Sequence, residues 1–428
     1  MGFIGKKKLI PTIDFLLEKT FQIFVFLIPS QLALHFWPKW AFVYGIRIDY
    51  LAPTIYLSDI LILIIFFLWL IDILINRSKI KFKNFGLYLL PLLILIFLNI
   101  GFATNYYLTL YRWLKLLEFT ILGVFVVKYP KIKIKKWILE PLAFSIIFFV
   151  IIGLIQFINK GTSGGVFYIL GERTFSIYTP GIALVDVFGR QLMRAYSTFP
   201  HPNSLAGFLG ICVLLFLLFG KNLNRRLYYL AIVFAFLGIA ISFSKTAIIT
   251  LIVIGIFWFL INNKKIENMV GRLTTILLIV TSILLLGFKT NIYTSKIRNI
   301  ENIYQRISLI RTSGEMIKSN YISGVGLGNF IINIPKYAED NSWILQPVHN
   351  IYLLIFTETG LLGLVIFFIL SIKIFNKVSP FNKRNFFYLL LFILITGFWD
   401  HYWISIQQNL LLEMLVFAMI LREDIKFT

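Results

Sequence analysis

The chain has 428 residues, 59% of them hydrophobic and only 14% charged, which excludes a soluble protein of two or three domains and makes the bilayer its solvent. A formal charge of +22 would point a soluble protein toward nucleic acid, but the 41 basic residues stand in short runs between apolar segments, so no nucleic acid is expected. Cys212 is the only cysteine, which excludes an intrachain disulfide and a cysteine metal cluster; within an apolar segment it reads as packing.

A helix needs about 20 mainly apolar residues to cross the hydrocarbon core with every backbone group bonded internally. Twelve segments meet this: 15–37, 59–76, 86–103, 107–127, 137–158, 203–220, 226–242, 245–261, 272–288, 350–372, 386–400 and 405–421. Lys6 to Lys8 precede the first without a small-residue cleavage site, so this start is expected to be retained. The prediction is an all-α, polytopic transmembrane bundle of about twelve helices in a single integral membrane domain over 1–428.

Basic residues then orient the bundle, because cytoplasmic loops are enriched in Lys and Arg. The cytoplasmic set is Lys6 to Lys8; Arg77, Lys79, Lys81 and Lys83; Lys128, Lys131, Lys133, Lys135 and Lys136; Lys221, Arg225 and Arg226; Lys264, Lys265 and Arg272; Lys373, Lys377, Lys383 and Arg384; and Arg422 with Lys426. Both termini fall on the cytoplasmic side. The remaining loops lie outside, and two are long, 159–202 and 289–349. Gly161 to Gly165 reads as a flexible turn in the first. In the second, Ile303, Ile307, Ile310 and Ile317, with Arg306 and Arg311 between them, follow a helical period.

Residues able to do chemistry gather on this outer side. Arg194-Ala-Tyr-Ser-Thr-Phe-Pro-His-Pro-Asn203 brings a cation, the His201 imidazole and an amide to the start of the sixth segment, although Pro202, Asn203 and Ser204 could equally be a helix cap. Lys245, in the tight connection Ser242-Phe-Ser-Lys-Thr246, is a cation on the disfavoured side, and either snorkels or holds an anion. Gly324-Val-Gly-Leu-Gly328 is no nucleotide loop: no strand precedes it and no Gly-Lys-Ser/Thr follows. His349 and Asn350 open a segment containing Glu358 and Gly360, while Asp400 and His401, followed by Gln407 and Gln408, lie in the last outer turn. Arg112, Lys115 and Glu118 make one face of the fourth segment polar, unless Lys115 and Glu118 satisfy each other. A basic cluster with an imidazole suits an anionic lipid headgroup carrying phosphate or pyrophosphate. Asp49 and Asp59 stand ten apart with no Asp-x-Asp, so no metal site and no cofactor are expected.

On these residues the chain resembles the O-antigen ligase and polymerase family. The likeness is carried by the Arg194 to Asn203 segment, Ser242 to Lys245, Arg306 with Gly324 to Phe330, and above all His349-Asn-Ile-Tyr-Leu-Leu-Ile-Phe-Thr-Glu-Thr-Gly-Leu-Leu-Gly363 after a large loop. It covers about 190 to 370; the first half matches only in its run of helices. The resemblance implies a GT-C-like membrane glycosyltransferase in the bacterial cytoplasmic membrane, metal-independent and inverting. Its implied partners are an undecaprenyl-diphosphate-linked glycan, a glycan or lipid acceptor hydroxyl on the outer side, and membrane lipids. Carried over by position, His349 activates the acceptor and Arg306, Arg194 and Lys245 bind the diphosphate, with Arg112 beside them. Lys245 stands where the family's Ser-x-Ser-Arg pattern has arginine, keeping the charge without the bidentate grip. Supporting roles fall to His201, Asn203, Arg311, Asn350, Glu358, Asp400 and His401. A lipid-linked glycan flippase and a protein O-oligosaccharyltransferase are the alternative readings.

Overall fold

The expected apolar runs fold as helices that pack mainly on one another. A computed structural model describes residues 3–76, 86–187, 189–261, 292–338 and 344–422. Its helices are α1 (Phe3–Leu27), α2 (Leu57–Asn76), α3 (Gly86–Gly101), α4 (Tyr106–Lys128), α5 (Glu140–Asn159), α6 (Pro202–Phe219) and α7 (Arg225–Ser242). There follow α8 (Lys245–Ile261), α9 (Ile292–Ser319), α10 (Phe330–Tyr337), α11 (Ile351–Lys377), α12 (Pro380–Trp399), α13 (Tyr402–Ser405) and α14 (Gln407–Ile420). A helix stands at each expected place except 272–288, which lies outside the described residues together with Arg77, Lys79, Lys81, Lys83, Lys264, Lys265, Arg272 and Lys426. By length and composition, five of the described helical segments can cross a membrane: Leu57–Asn76, Lys135–Asn159, Pro202–Asn222, Arg225–Ser242 and Ile351–Lys377.

Three boundaries depart from expectation, each for a local reason. The first helix stops at Leu27 rather than 37, because Pro29 disfavours helical backbone at Ile28. The chain beyond it forms two small antiparallel ribbons, β1 (Ala33–His35) with β4 (Thr54–Tyr56) and β2 (Phe42–Val43) with β3 (Ile46–Arg47). The helix of the second long loop runs 28 residues, and its isoleucines at 303, 307 and 310 face outward. Its buried side is Leu309, Thr312, Ser313 and Met316, with Ser313 and Thr357 hydroxyls 2.6 Å apart. The third departure is the break in α11 at Gly360, whose φ of 68° and ψ of −172° are open essentially to glycine alone.

Nor is the first long loop a loose connection. It carries the ribbon β5 (Leu184–Val187) and β6 (Arg190–Met193). The turn at Gly161 to Gly165 is held where the Glu172 carboxylate accepts from the Ser163 and Gly164 amides, at 3.0 and 2.8 Å. Buried Gln156 donates to both Glu172 and the Ser197 carbonyl at 2.8 Å. Ser30 donates to the Leu170 carbonyl at 2.7 Å, closing the loop onto the ribbons after α1.

The two ends of the bundle differ chemically. At one, Lys131 pairs with Asp14 at 2.6 Å and Lys136 with Glu18 at 2.5 Å. There Arg422 donates to the Val126 and Tyr129 carbonyls at 2.7 and 2.8 Å. Ribbons and long loops gather at the other. Between them, Lys115 is more than half of a pair with Glu118: it bonds Asp59 on α2, with Glu118 at 3.5 Å, and Gln407 of α14 donates to the same aspartate at 2.6 Å. This three-helix network satisfies charges that would otherwise be costly at that depth.

Candidate functional site

Asn350 begins the assembly of the site. Its side chain caps α11, accepting from the Leu353 amide at 2.9 Å, and donates to the Phe398 carbonyl at 3.1 Å, tying the start of α11 to the end of α12. That tie seats His349 against the turn between α12 and α13, its ring 5.2 Å from that of His401 at 69°. His349, Asp400 and His401 each offer one nitrogen or oxygen atom, and these lie within 4.8 Å of one another.

The carboxylate is fixed from both sides. Asp400 Oδ1 accepts from the His401 amide at 2.8 Å and Oδ2 from Asn203 Nδ2 at 3.0 Å. Asn203 Oδ1 in turn accepts from Arg194 at 2.6 Å, and Arg194 Nε donates to the Ser242 carbonyl at 2.6 Å. The cap of α6 is not Asn203 or Ser204 but His201, whose Nδ1 accepts from the Asn203 amide at 3.1 Å; the Asn203 side chain is thereby left to bridge Arg194 and Asp400.

Ser405 holds the His401 ring: its Oγ lies 2.6 Å from His401 Nδ1 and 2.9 Å from the His401 carbonyl. Nδ1 is thereby engaged, and Nε2 is the nitrogen left to face other groups. His349 Nδ1 is buried without a hydrogen-bond partner. Burial, reinforced by Arg194 for His201 and opposed by Asp400 for both rings, holds His201 and His401 down to about 3. Burial also lowers His349, Asp400 opposing and Arg306 adding to the shift. For Asp400, burial favours the protonated form, but the imidazoles and the Asn203 bond outweigh it and hold the carboxyl near 2. At neutral pH the cluster is one carboxylate among neutral imidazoles.

Cations surround it. Arg306 donates to the Trp399 carbonyl at 3.0 Å. Arg112 reaches the Tyr50 carbonyl, and Arg173 donates to the Pro200 carbonyl at 2.6 Å with its guanidinium 5.8 Å from the Phe175 and Tyr196 rings. The Nε atoms of Arg112 and Arg173 are buried without hydrogen-bond partners. Tyr50 stands between these arginines and the imidazoles, 5.7 Å from the His401 ring. Burial and Asp400 raise its hydroxyl while Arg173 and Arg112 pull it down, and it remains a neutral donor.

The expected residues thus divide. His349, Asp400, His401, His201, Asn203, Arg194 and Arg306 come together, and Arg112 joins through Tyr50. Lys245 is exposed at the first position of α8 and Arg311 is exposed on α9. Asn350 is the cap just described. Glu358 lies apart from the imidazoles: its carboxylate accepts from the Phe330 amide at 3.3 Å and its carbonyl from Gly326 at 3.0 Å, holding the glycine segment. Arg173 and Tyr50 went unnoticed in the sequence. Arg173 bears the mark that singled out Lys245, a cation in a loop expected on the outer side; Tyr50 bears none.

Acid should loosen this end. The folded values of His201 and His401 lie below the ordinary 6.5, so the unfolded chain takes up protons first and stability declines as pH falls from 6.5 toward 3. Thermal unfolding in detergent at stepped pH should show this decline, and His401→Gln should flatten it.

A family model described as O-antigen ligase matches residues 230–368, which include Lys245, Arg306, Arg311, His349, Asn350 and Glu358. No curated protein matches the chain. The match falls on the histidine just before α11 and on Arg306, and over these residues the chain is similar to the O-antigen ligase family, which supports assigning it there as a multi-pass membrane protein.

Proposed function

We propose that this protein transfers or polymerises a glycan from an undecaprenyl-diphosphate carrier onto an acceptor hydroxyl at the outer face of the cytoplasmic membrane. The observation that carries the reading is the His349 imidazole beside the Asp400 carboxylate, its Nδ1 buried and unpartnered, with guanidinium groups around both. The Lys- and Arg-rich end of the bundle faces the cytoplasm, which puts the cluster and the long loops outside. Its place at one end, rather than the middle, supports a transferase over a flippase.

In the proposed reaction His349 takes the proton of the acceptor hydroxyl as its oxygen attacks C1 of the sugar. The C1–O bond to the diphosphate breaks and its electron pair leaves on that group. Arg306, with the unspent donors of Arg112 and Arg173, stabilises the departing charge. Asp400 stabilises the imidazolium as it forms. Attack opposite the leaving group inverts the anomeric centre. Arg194 contributes by positioning, since two of its donors are committed to Ser242 and Asn203.

The test is glycan transfer by purified protein in detergent, following released undecaprenyl diphosphate and the product ladder. Because the diphosphate leaves against arginines, transfer should persist in excess EDTA; complete loss in chelator would defeat this mechanism. Arg306→Ala should slow release of the carrier diphosphate by about 10²- to 10³-fold, as the loss of one preorganised donor does elsewhere.

A further inference from the structure

We propose that His349, Asp400 and His401 form a binding site for a zinc-type divalent ion, and that the ion reversibly silences the transferase by occupying the nitrogen that would take the acceptor's proton. The inhibitory part rests on His349 being the base; the site itself does not.

The donor set is two imidazoles and a carboxylate, which suits zinc and its late first-row neighbours and not the oxygen-seeking magnesium or calcium. Each donor can present a lone pair. His401 presents Nε2, because its Nδ1 is engaged by Ser405 Oγ at 2.6 Å. His349 Nδ1 is buried with no partner. Each Asp400 oxygen accepts one hydrogen bond and retains a second lone pair. Outer partners are in place too: Ser405 orients His401, and Asn203, held by Arg194, orients Asp400.

The spacing is close to what coordination requires. The donor atoms lie within 4.8 Å of one another, and ligands about 2.1 Å from a tetrahedral zinc stand about 3.4 Å apart. Closure takes movement of roughly 1 Å. His349 is the ring to supply it, since no hydrogen bond restrains its Nδ1. A fourth position stays open to water. Arg306, bound to the Trp399 carbonyl next to Asp400, sets a positive charge against a divalent ion, which keeps occupancy reversible. Proton and metal compete for the same lone pairs, so acid should release the ion.

The experiment is a titration of the full-length, metal-stripped protein in detergent with cobalt chloride, read by the visible absorption of nitrogen- and oxygen-ligated cobalt. One equivalent should bind. The band should be lost in His349→Ala and separately in His401→Ala, and unchanged in His35→Ala, which removes a histidine outside the cluster. Ser405→Ala, which takes away no ligand, should weaken binding by about 10- to 100-fold. Zinc chloride should abolish glycan transfer by the wild type, and EDTA should restore it. Absence of a stoichiometric band, or a band surviving in both His349→Ala and His401→Ala, would overturn the site. Undiminished transfer with zinc bound would overturn the inhibition. A wild type that binds cobalt yet transfers no glycan would refute the transferase reading and leave the site standing.

Discussion

His349→Ala is expected to lower glycan transfer by about 10²- to 10⁴-fold while carrier binding persists, because it removes the proton acceptor and none of the guanidinium groups. Single-turnover release of undecaprenyl diphosphate, set beside equilibrium binding of the carrier, separates the two. The pH profile gives a sharper signature. His349 lies below the ordinary 6.5 because it is buried, so the base is free of its proton at neutral pH and the acidic limb of the rate falls below 6.5. Asp400 raises that proton affinity and Arg306 lowers it. Asp400→Asn should therefore move the limb to lower pH and Arg306→Ala to higher pH, in addition to slowing the reaction. Limbs that stay fixed in both variants would show that another group is the base.

Gly360→Ala should be severely damaging while leaving the imidazole cluster untouched. A Cβ there would stand 2.1 Å from the Ile322 carbonyl oxygen and 2.7 Å from the Gly324 nitrogen. It would also force alanine into backbone at φ 68° and ψ −172°. Strain and overlap together should cost at least about 3 kcal/mol. Damage would spread through the segment that packs on the break: Gly328 lies against the Arg112 side chain, and Asn99 bonds Ser323, Leu327 and Glu358. Thermal unfolding should show a large drop for Gly360→Ala. Gly314→Ala is the control, since a methyl there meets nothing within 4 Å, and in the interior of α9 it should stabilise by up to about 1 kcal/mol. Equal stability of the two variants would contradict the packing described.

How much of this could be read in the sequence follows from which interactions are local. Helix positions were legible because twenty apolar residues can satisfy a bilayer in few other ways. The end of α1 is not legible from apolar composition, which continues past Pro29 to residue 37 while the helix stops at Leu27. The isoleucines of α9 gave the right period and the wrong face: a helix lying against a membrane protein can bury Thr312 and Ser313 through hydrogen bonds while its aliphatic side looks outward. Among site residues, His349 stood out by rarity and place. The union of Asn203 with Asp400, 197 positions apart, had no local signal, and neither did Tyr50. Lys245 is informative for its charge alone and is exposed, whereas Arg173, with the same charge, is half-buried and has its Nε out of solvent.

The order of these residues along the chain bears on biogenesis. Tyr50, Arg112, Arg173 and Arg194 are synthesised first and His349 well after them; Asp400 and His401 arrive last, in the turn after α12. A nascent chain threaded as far as α11 holds cations and an imidazole but no carboxylate to stabilise a proton on it. On the proposed mechanism such a chain can meet the lipid carrier but cannot act on it, so premature release of α12 to α14 would yield a binder without turnover rather than a weak enzyme.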